Sequence, residues 1–211
     1  MTDKEKRLTA YHESGHAIAT AFLEGQDPVH EVSIIPRGMA GGYTMALPKE
    51  DRAYKLRGDM LDDLVVLLGG RVSEALVLGD ISTGASNDIE RATNIARDMV
   101  MRYGMSSKIG PISYTSGSHE IFLGRDYGAT SAYSESVATE IDLEVSGMLK
   151  EAYRRCEEIL NAHMDKLHEL ASYLIVHEKI NEADFTKLIE GTLNEETAAD
   201  PGKEEPEEAT E

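Results

Sequence analysis

His12-Glu13-Ser14-Gly15-His16 places two imidazoles four residues apart, with a carboxylate directly after the first. An α-helix advances about 3.6 residues per turn, so positions i and i+4 share a face. His12 and His16 can therefore grip one tetrahedral metal ion, while Glu13 sits beside the ion's open position as general base toward an activated water. This is the H-E-x-x-H pattern of zinc peptidases. Because the pattern fixes only three residues, a chance match is the bland alternative, and the helical context argues against it.

That context is an expected helix over residues 5–24, with Leu8, Tyr11, Ala17, Ile18, Ala21 and Phe22 forming an apolar stripe and Gly25 a C-terminal stop. Gly15 in its middle costs on the order of 1 kcal/mol against alanine and needs a reason. Two reasons fit equally: a substrate backbone approaching the metal face, or tight packing of two helices.

Two histidines and a water leave one protein ligand to find. A third histidine of the metzincin type would fall at position 22, which is Phe22, so that class is excluded. Glu24, Glu31, Glu50, Asp51, Glu74 and Asp88 are carboxylates that can fold back, and spacing alone does not choose among them.

The surrounding elements supply further constraints. A second helix is expected over 60–78, apolar almost all round and therefore buried. Its Glu74 must be partnered, either by hydrogen bonding a metal-ligating histidine or by pairing with Arg71. The apolar run 64–68 is too short to span a membrane, and Asp62, Asp63 and Arg71 flank it. Asn87-x-x-Glu90 reads as a capping box opening a helix over 89–103. Asp88 would then be its first residue, where the helix dipole favours an ionised ligand or simply a first-turn acid.

Residues 32–35 and 42–47 read as two strands around Pro36-Arg37-Gly38. The exposed edge of such a hairpin can accept an extended peptide by strand addition, which makes Gly41, Gly42, Tyr43 and Thr44 candidate substrate-binding residues. The alternative is a small sheet that only covers the metal helix. Residues 104–133, rich in Gly, Ser and Tyr, read as a long loop containing His119. That histidine either polarises a substrate carbonyl or, more in keeping with a loop, is solvated.

Helices are expected again over 134–160, 166–177 and 182–190, the last behind an Asn181 cap. His163, His168 and His177 lie there at spacings without metal logic. Cys156 has no base beside it, and a single cysteine excludes an intramolecular disulfide and suits a reducing compartment.

The 211 residues carry a net charge of −18, seven of those charges from residues 195–211, which hold eight acids and one lysine. That tail has almost no apolar content and reads as disordered. The acidity argues against nucleic acid as a partner. No signal peptide, membrane span or Gly-x-x-x-x-Gly-Lys-Ser/Thr phosphate loop occurs. At 211 residues the chain can form one substantial core or one domain with two lobes, and the expected division is a peptidase core over 1–130 and a helical lobe over 131–193 of the same domain.

The segment Ser82-Thr83-Gly84-Ala85-Ser86-Asn87-Asp88-Ile89-Glu90, with Leu8-Thr9-Ala10-Tyr11-His12-Glu13-Ser14-Gly15-His16-Ala17 and Gly69-Gly70-Arg71-Val72-Ser73-Glu74, resembles the peptidase domain of the FtsH family. Further matches are Val32-Ser33-Ile34-Ile35-Pro36-Arg37-Gly38, Gly42-Tyr43-Thr44, Phe122-Leu123-Gly124-Arg125 and Ile141-Asp142-Leu143-Glu144-Val145, in family order from about Asp3 to Ile189. Ser14, where alanine is common, is the one departure inside the zinc motif.

The resemblance implies a mainly helical hydrolase with a small β-sheet, a zinc-dependent endopeptidase holding one Zn2+ per chain. By the same resemblance Asp88 is the third ligand beside His12 and His16, with Glu13 as base. It further implies a membrane-associated, hexameric ATP-dependent protease of protein quality control, whose ATPase module and membrane helices precede this segment. The domain itself would be soluble, in the cytoplasm or an equivalent organelle matrix, and its substrates would be polypeptides. The competing expectation is a catalytically silent, zinc-stapled assembly module of the same kind of ring. A zinc hydrolase of small molecules is a third, weakened by the hairpin edge.

Overall fold

The computed structural model describes residues 1–38, 41–48, 52–115 and 133–193. Helix α1 (Asp3–Ala21) opens with a capping box: Thr2 Oγ1 accepts from the Glu5 amide at 3.3 Å, and the Thr2 amide donates to the Glu5 carboxylate at 2.7 Å. It ends at Ala21, before the expected stop at Gly25. Phe22 caps it and stacks on His163 with ring centroids 3.4 Å apart, which fixes the exit ahead of the glycine. The sequence stripe suggests one buried face, yet every residue from Ala10 to Thr20 is buried. Helix α1 is the centre of the fold, with α2, α5 and the sheet packed around it.

Helix α2 (Arg57–Ser73) crosses α1 at closest approach through Gly15 and Gly69. A Cβ on Gly15 would lie 2.6 Å from Ser73 Cβ, and one on Gly69 would lie 2.6 Å from the Gly15 carbonyl oxygen. Helix packing therefore accounts for Gly15. Helix α2 runs on into a π-helical turn, Glu74–Leu78, which ends at Gly79 in the left-handed conformation (φ 65°). Such turns widen the helix locally and re-aim its side chains, here that of the fully buried Glu74.

Helix α3 (Ser86–Met101) begins earlier than the expected Asn87 cap. A 3₁₀ turn, Thr83–Ala85, leads into it, and the capping side chain belongs to Ser82, whose Oγ accepts from the Gly84 amide at 3.1 Å. The turn supplies the start that the Asn87-x-x-Glu90 box was expected to supply. Asp88 is thus the third helical residue rather than the first, still within the first turn.

Strands β1 (Val29–Ser33), three residues earlier at its start than the expected 32–35, and β2 (Tyr43–Ala46) pair as a hairpin, but it does not stand alone. Helices α4 (Glu135–Ala162) and α5 (Met164–His177) follow, and a third strand, β3 (Lys179–Asn181), pairs antiparallel with β1. The strand order is β2-β1-β3, leaving β2 at an edge. Helix α6 (Glu182–Glu190) starts at the expected cap: Asn181 Oδ1 accepts from the Asp184 amide at 2.9 Å.

Helix α4 covers α2 and α3, and Ile18, Leu64, Met99, Leu160, Leu167 and Leu174 share one fully buried cluster. The architecture is the mainly helical one expected. Cys156 lies in this cluster, and burial, then the charge of Glu157, pushes its thiol up to about 12, so it is inert. His119 and the 122–125 motif fall outside the described residues, as does the acidic tail. No helix among the described residues is long and apolar enough to cross a membrane.

Candidate metal centre

Helix α1 presents His12 and His16 one turn apart, and the first turn of α3 brings Asp88 to both. His12 Nε2 and His16 Nε2 are 3.1 Å apart, and Asp88 Oδ2 lies 3.4 Å from the first and 3.5 Å from the second. Ligands about 2.0–2.1 Å from a tetrahedral ion are separated by roughly 3.3 Å, so the three donors already stand at coordination spacing. Among the described residues they are the one group with this arrangement. Glu24, Glu31 and Glu74 do not join it, and Glu50 and Asp51 lie outside the described residues.

The far nitrogen of each imidazole is engaged. His12 Nδ1 is 2.7 Å from Glu74 Oε1, and His16 Nδ1 is 2.7 Å from the Val66 carbonyl oxygen. Both partners are acceptors, so each Nδ1 donates, and a metal bound between the rings would take both Nε2 lone pairs. Glu74 therefore partners the histidine rather than Arg71. Its Oε2 accepts from the Ser82 amide at 2.6 Å, and its Oε1 accepts from Ser82 Oγ at 3.0 Å. Arg71 instead donates to the Ser82 carbonyl at 3.1 Å. The turn leading to Asp88 is thus bonded to the carboxylate that orients His12.

The electrostatics describe a site built for a cation. Burial opposes a charge on His12, but hydrogen bonds to Asp88 and Glu74 overturn that and lift it to about 9. Burial also works against the charge on Asp88, yet its hydrogen bonds with His12 and His16 hold its carboxyl well below the usual range. Both shifts favour positive charge between the imidazoles and Asp88, which is the charge a metal ion would supply.

Glu13, 7% exposed, follows His12 on the helix, and burial raises its carboxyl above the ordinary value. Thr44 Oγ1 lies 2.9 Å from Glu13 Oε2 and 3.1 Å from the Glu13 carbonyl oxygen. Gly42 is equally close, because a Cβ there would sit 2.6 Å from the Ser33 carbonyl and 3.0 Å from Glu13 Cγ. Gly41 borders Thr9. Tyr43 takes the opposite face and donates to Glu31, which also pairs with Lys179 at 2.6 Å.

His163, His168 and His177 are packing partners, while His30 pairs with Glu182 at 3.2 Å on the surface. His168 Nδ1 lies 2.9 Å from the Tyr11 hydroxyl, His163 stacks on Phe22 and His177 lies against Tyr173. A cavity of about 590 Å³ between α2, α3 and α4 borders Leu68, Arg71 and Ile89 and contains none of the metal donors. Sequence reasoning missed Ser82 and the Val66 carbonyl. A main-chain acceptor leaves no side-chain signature, while Ser82 stood in the quoted motif without a partner to give it meaning.

Residues 1–188 match the family model described as Peptidase family M41. The ATP-dependent zinc metalloprotease FtsH 1 of Thermoanaerobacter sp. (strain X514) is 56% identical over 191 residues, 90% of this chain and 31% of the relative. The FtsH of Caldicellulosiruptor bescii is 56% identical over 188 residues, covering 89% of this chain and 30% of its own. That of Bacillus subtilis (strain 168) is 44% identical over 205 residues, 96% and 32% respectively. The chain thus spans about three tenths of the length of these curated relatives, and within that span it belongs to peptidase family M41.

Proposed function

We propose that this chain is the zinc endopeptidase domain of an FtsH-like ATP-dependent protease. The observation that carries the reading is the convergence of His12, His16 and Asp88 at coordination spacing beside a buried Glu13. His12, His16 and Asp88 would hold a zinc ion, which would supply Lewis acidity toward a water and the scissile carbonyl. Glu13 takes the proton from the attacking water and passes it to the leaving amine. Glu74 and the Val66 carbonyl hold the two imidazoles in the tautomer that leaves Nε2 free. Edge strand β2, which carries Thr44 next to Glu13 and follows directly on Gly42, offers main-chain groups to an extended peptide of almost any sequence.

Residues 1–130 carry the chemistry in this reading, and 131–193 form a lobe of the same domain, with α5 buttressing α1 and β3 extending the sheet. The whole protein would be a membrane-anchored homo-hexamer whose ATPase module feeds unfolded or membrane-extracted polypeptides to this site, with the domain in the cytoplasm or an organelle matrix. A silent, zinc-stapled assembly module has no use for a buried carboxylate beside the open metal position.

The test is cleavage of unfolded casein by the zinc-loaded chain and by Glu13→Gln. The reading requires cleavage by the first and a loss of several orders of magnitude in the second. An inactive wild-type chain, or an active glutamine variant, would overturn it.

A further inference from the structure

In the sheet register Thr44 of β2 stands opposite Val32 of β1, which stands opposite Ile180 of β3. This row lies on the core side: Val32 is fully buried and Ile180 is 1% exposed. Alternation along β2 sends Tyr43 to the other face, where it meets Glu31. A core-facing strand position beside valine and isoleucine favours another β-branched hydrocarbon. Threonine keeps that shape and adds one hydroxyl, and the hydroxyl lies 2.9 Å from Glu13 Oε2.

We infer that Thr44 is a positioning residue for the peptidase reaction: its hydroxyl donates to Glu13 Oε2 and fixes the carboxylate so that Oε1 faces the attacking water. The inference rests on the function proposed above and names a residue that acts through the base. Glu13 has rotatable bonds between its backbone and its carboxylate, and other anchors for its two oxygens are absent among the hydrogen bonds of the described residues. Without the hydroxyl the carboxylate swings. Thr44 also belongs to the strand that would pair with the substrate, so one side chain sets the register between the bound peptide and the base. Misplacing a catalytic group by about 1 Å can cost on the order of 100-fold in rate.

Thr44→Val preserves volume, branching and strand preference and removes only the hydroxyl, while Thr44→Ser restores it. Crystal structures of both variants and the wild type, together with kcat and KM on an unfolded substrate, decide the matter. Expected are a single Glu13 conformer in the wild type and Thr44→Ser, and several in Thr44→Val. The valine variant should lose about 10- to 100-fold in kcat, with KM changed less than about 3-fold and zinc content retained. A single, unmoved Glu13 in Thr44→Val, an unchanged kcat, or an equal loss in Thr44→Ser would overturn the assignment. If the wild-type chain cleaves nothing, that failure belongs to the proposed function, and the Glu13 conformers still decide the role of Thr44.

Discussion

The imidazole of His12 occupies the space that a side chain on Gly70 would need: a Cβ there would lie 2.5 Å from His12 Nε2 and 2.6 Å from Nδ1. The ring is held at Nδ1 by Glu74, so it cannot yield without disturbing that hydrogen bond. Gly70→Ala should therefore leave helix content unchanged, since alanine favours a helix by about 1 kcal/mol, yet weaken zinc binding by roughly 10- to 100-fold. Gly58, near the start of α2 with nothing within 4 Å of its Cβ position, is the control. Gly58→Ala should keep full affinity and gain about 0.4–1 kcal/mol of stability. Competition with a chelator measures the zinc affinity of both variants and thermal unfolding their stability, and wild-type affinity in Gly70→Ala would contradict the packing argument.

Ser14, between the two histidines, is fully buried, and its Oγ has no hydrogen-bond partner among the described residues. Burying a hydroxyl without a partner costs about 1–3 kcal/mol. Ser14→Ala should therefore stabilise the chain by about 1 kcal/mol, raising Tm by roughly 2–4 °C. Scanning calorimetry on the metal-free form checks this, and a lower Tm would mean that the hydroxyl makes a stabilising bond.

Loss of metal should expose a pH dependence. His12 titrates at about 9 in the fold against an ordinary 6.5, because hydrogen bonds to Asp88 and Glu74 outweigh its burial. A group whose value is raised on folding contributes stability that is complete below its unfolded value and lost as pH rises through the folded one. Metal-free protein should thus lose Tm steadily between about pH 6.5 and 9, and zinc-loaded protein should not, since the cation replaces that proton. Equal pH profiles with and without zinc would show that His12 does not carry the proton.

Much of this was legible from local pattern. His12, Glu13 and His16 follow from helical periodicity, and the need for a partner at Glu74 follows from the apolar run around it. Asp88 was reached through the resemblance, since spacing could not separate it from the other carboxylates. Strand β3 escaped because its three residues are too few for any alternation to register, and it exists only through pairing with β1. The start of α3 was misplaced because a 3₁₀ turn capped by Ser82 mimics, slightly earlier in the chain, what the Asn87 box promised. The bonds from Ser82 to Glu74, from His16 to the Val66 carbonyl and from Thr44 to Glu13 join residues that only the tertiary fold brings together.

Cleavage by this chain should be independent of ATP. Its 211 residues contain no phosphate loop, and a folded substrate must first be opened, at about 5–15 kcal/mol, before it can lie along β2. A tightly folded reporter with an unstructured tail should lose the tail and keep its fold, with or without ATP. ATP-stimulated destruction of the whole reporter would reveal an energy-coupling site within these residues.

The central claim is that His12, His16 and Asp88 hold the metal while Glu13 leaves it free to react. Elemental analysis of Asp88→Ala and Glu13→Gln, purified identically and shown to be folded, addresses this most directly. The account predicts about one zinc per chain in Glu13→Gln and in the wild type, and much weaker retention in Asp88→Ala. Full occupancy in Asp88→Ala, or loss of zinc from Glu13→Gln, would contradict it.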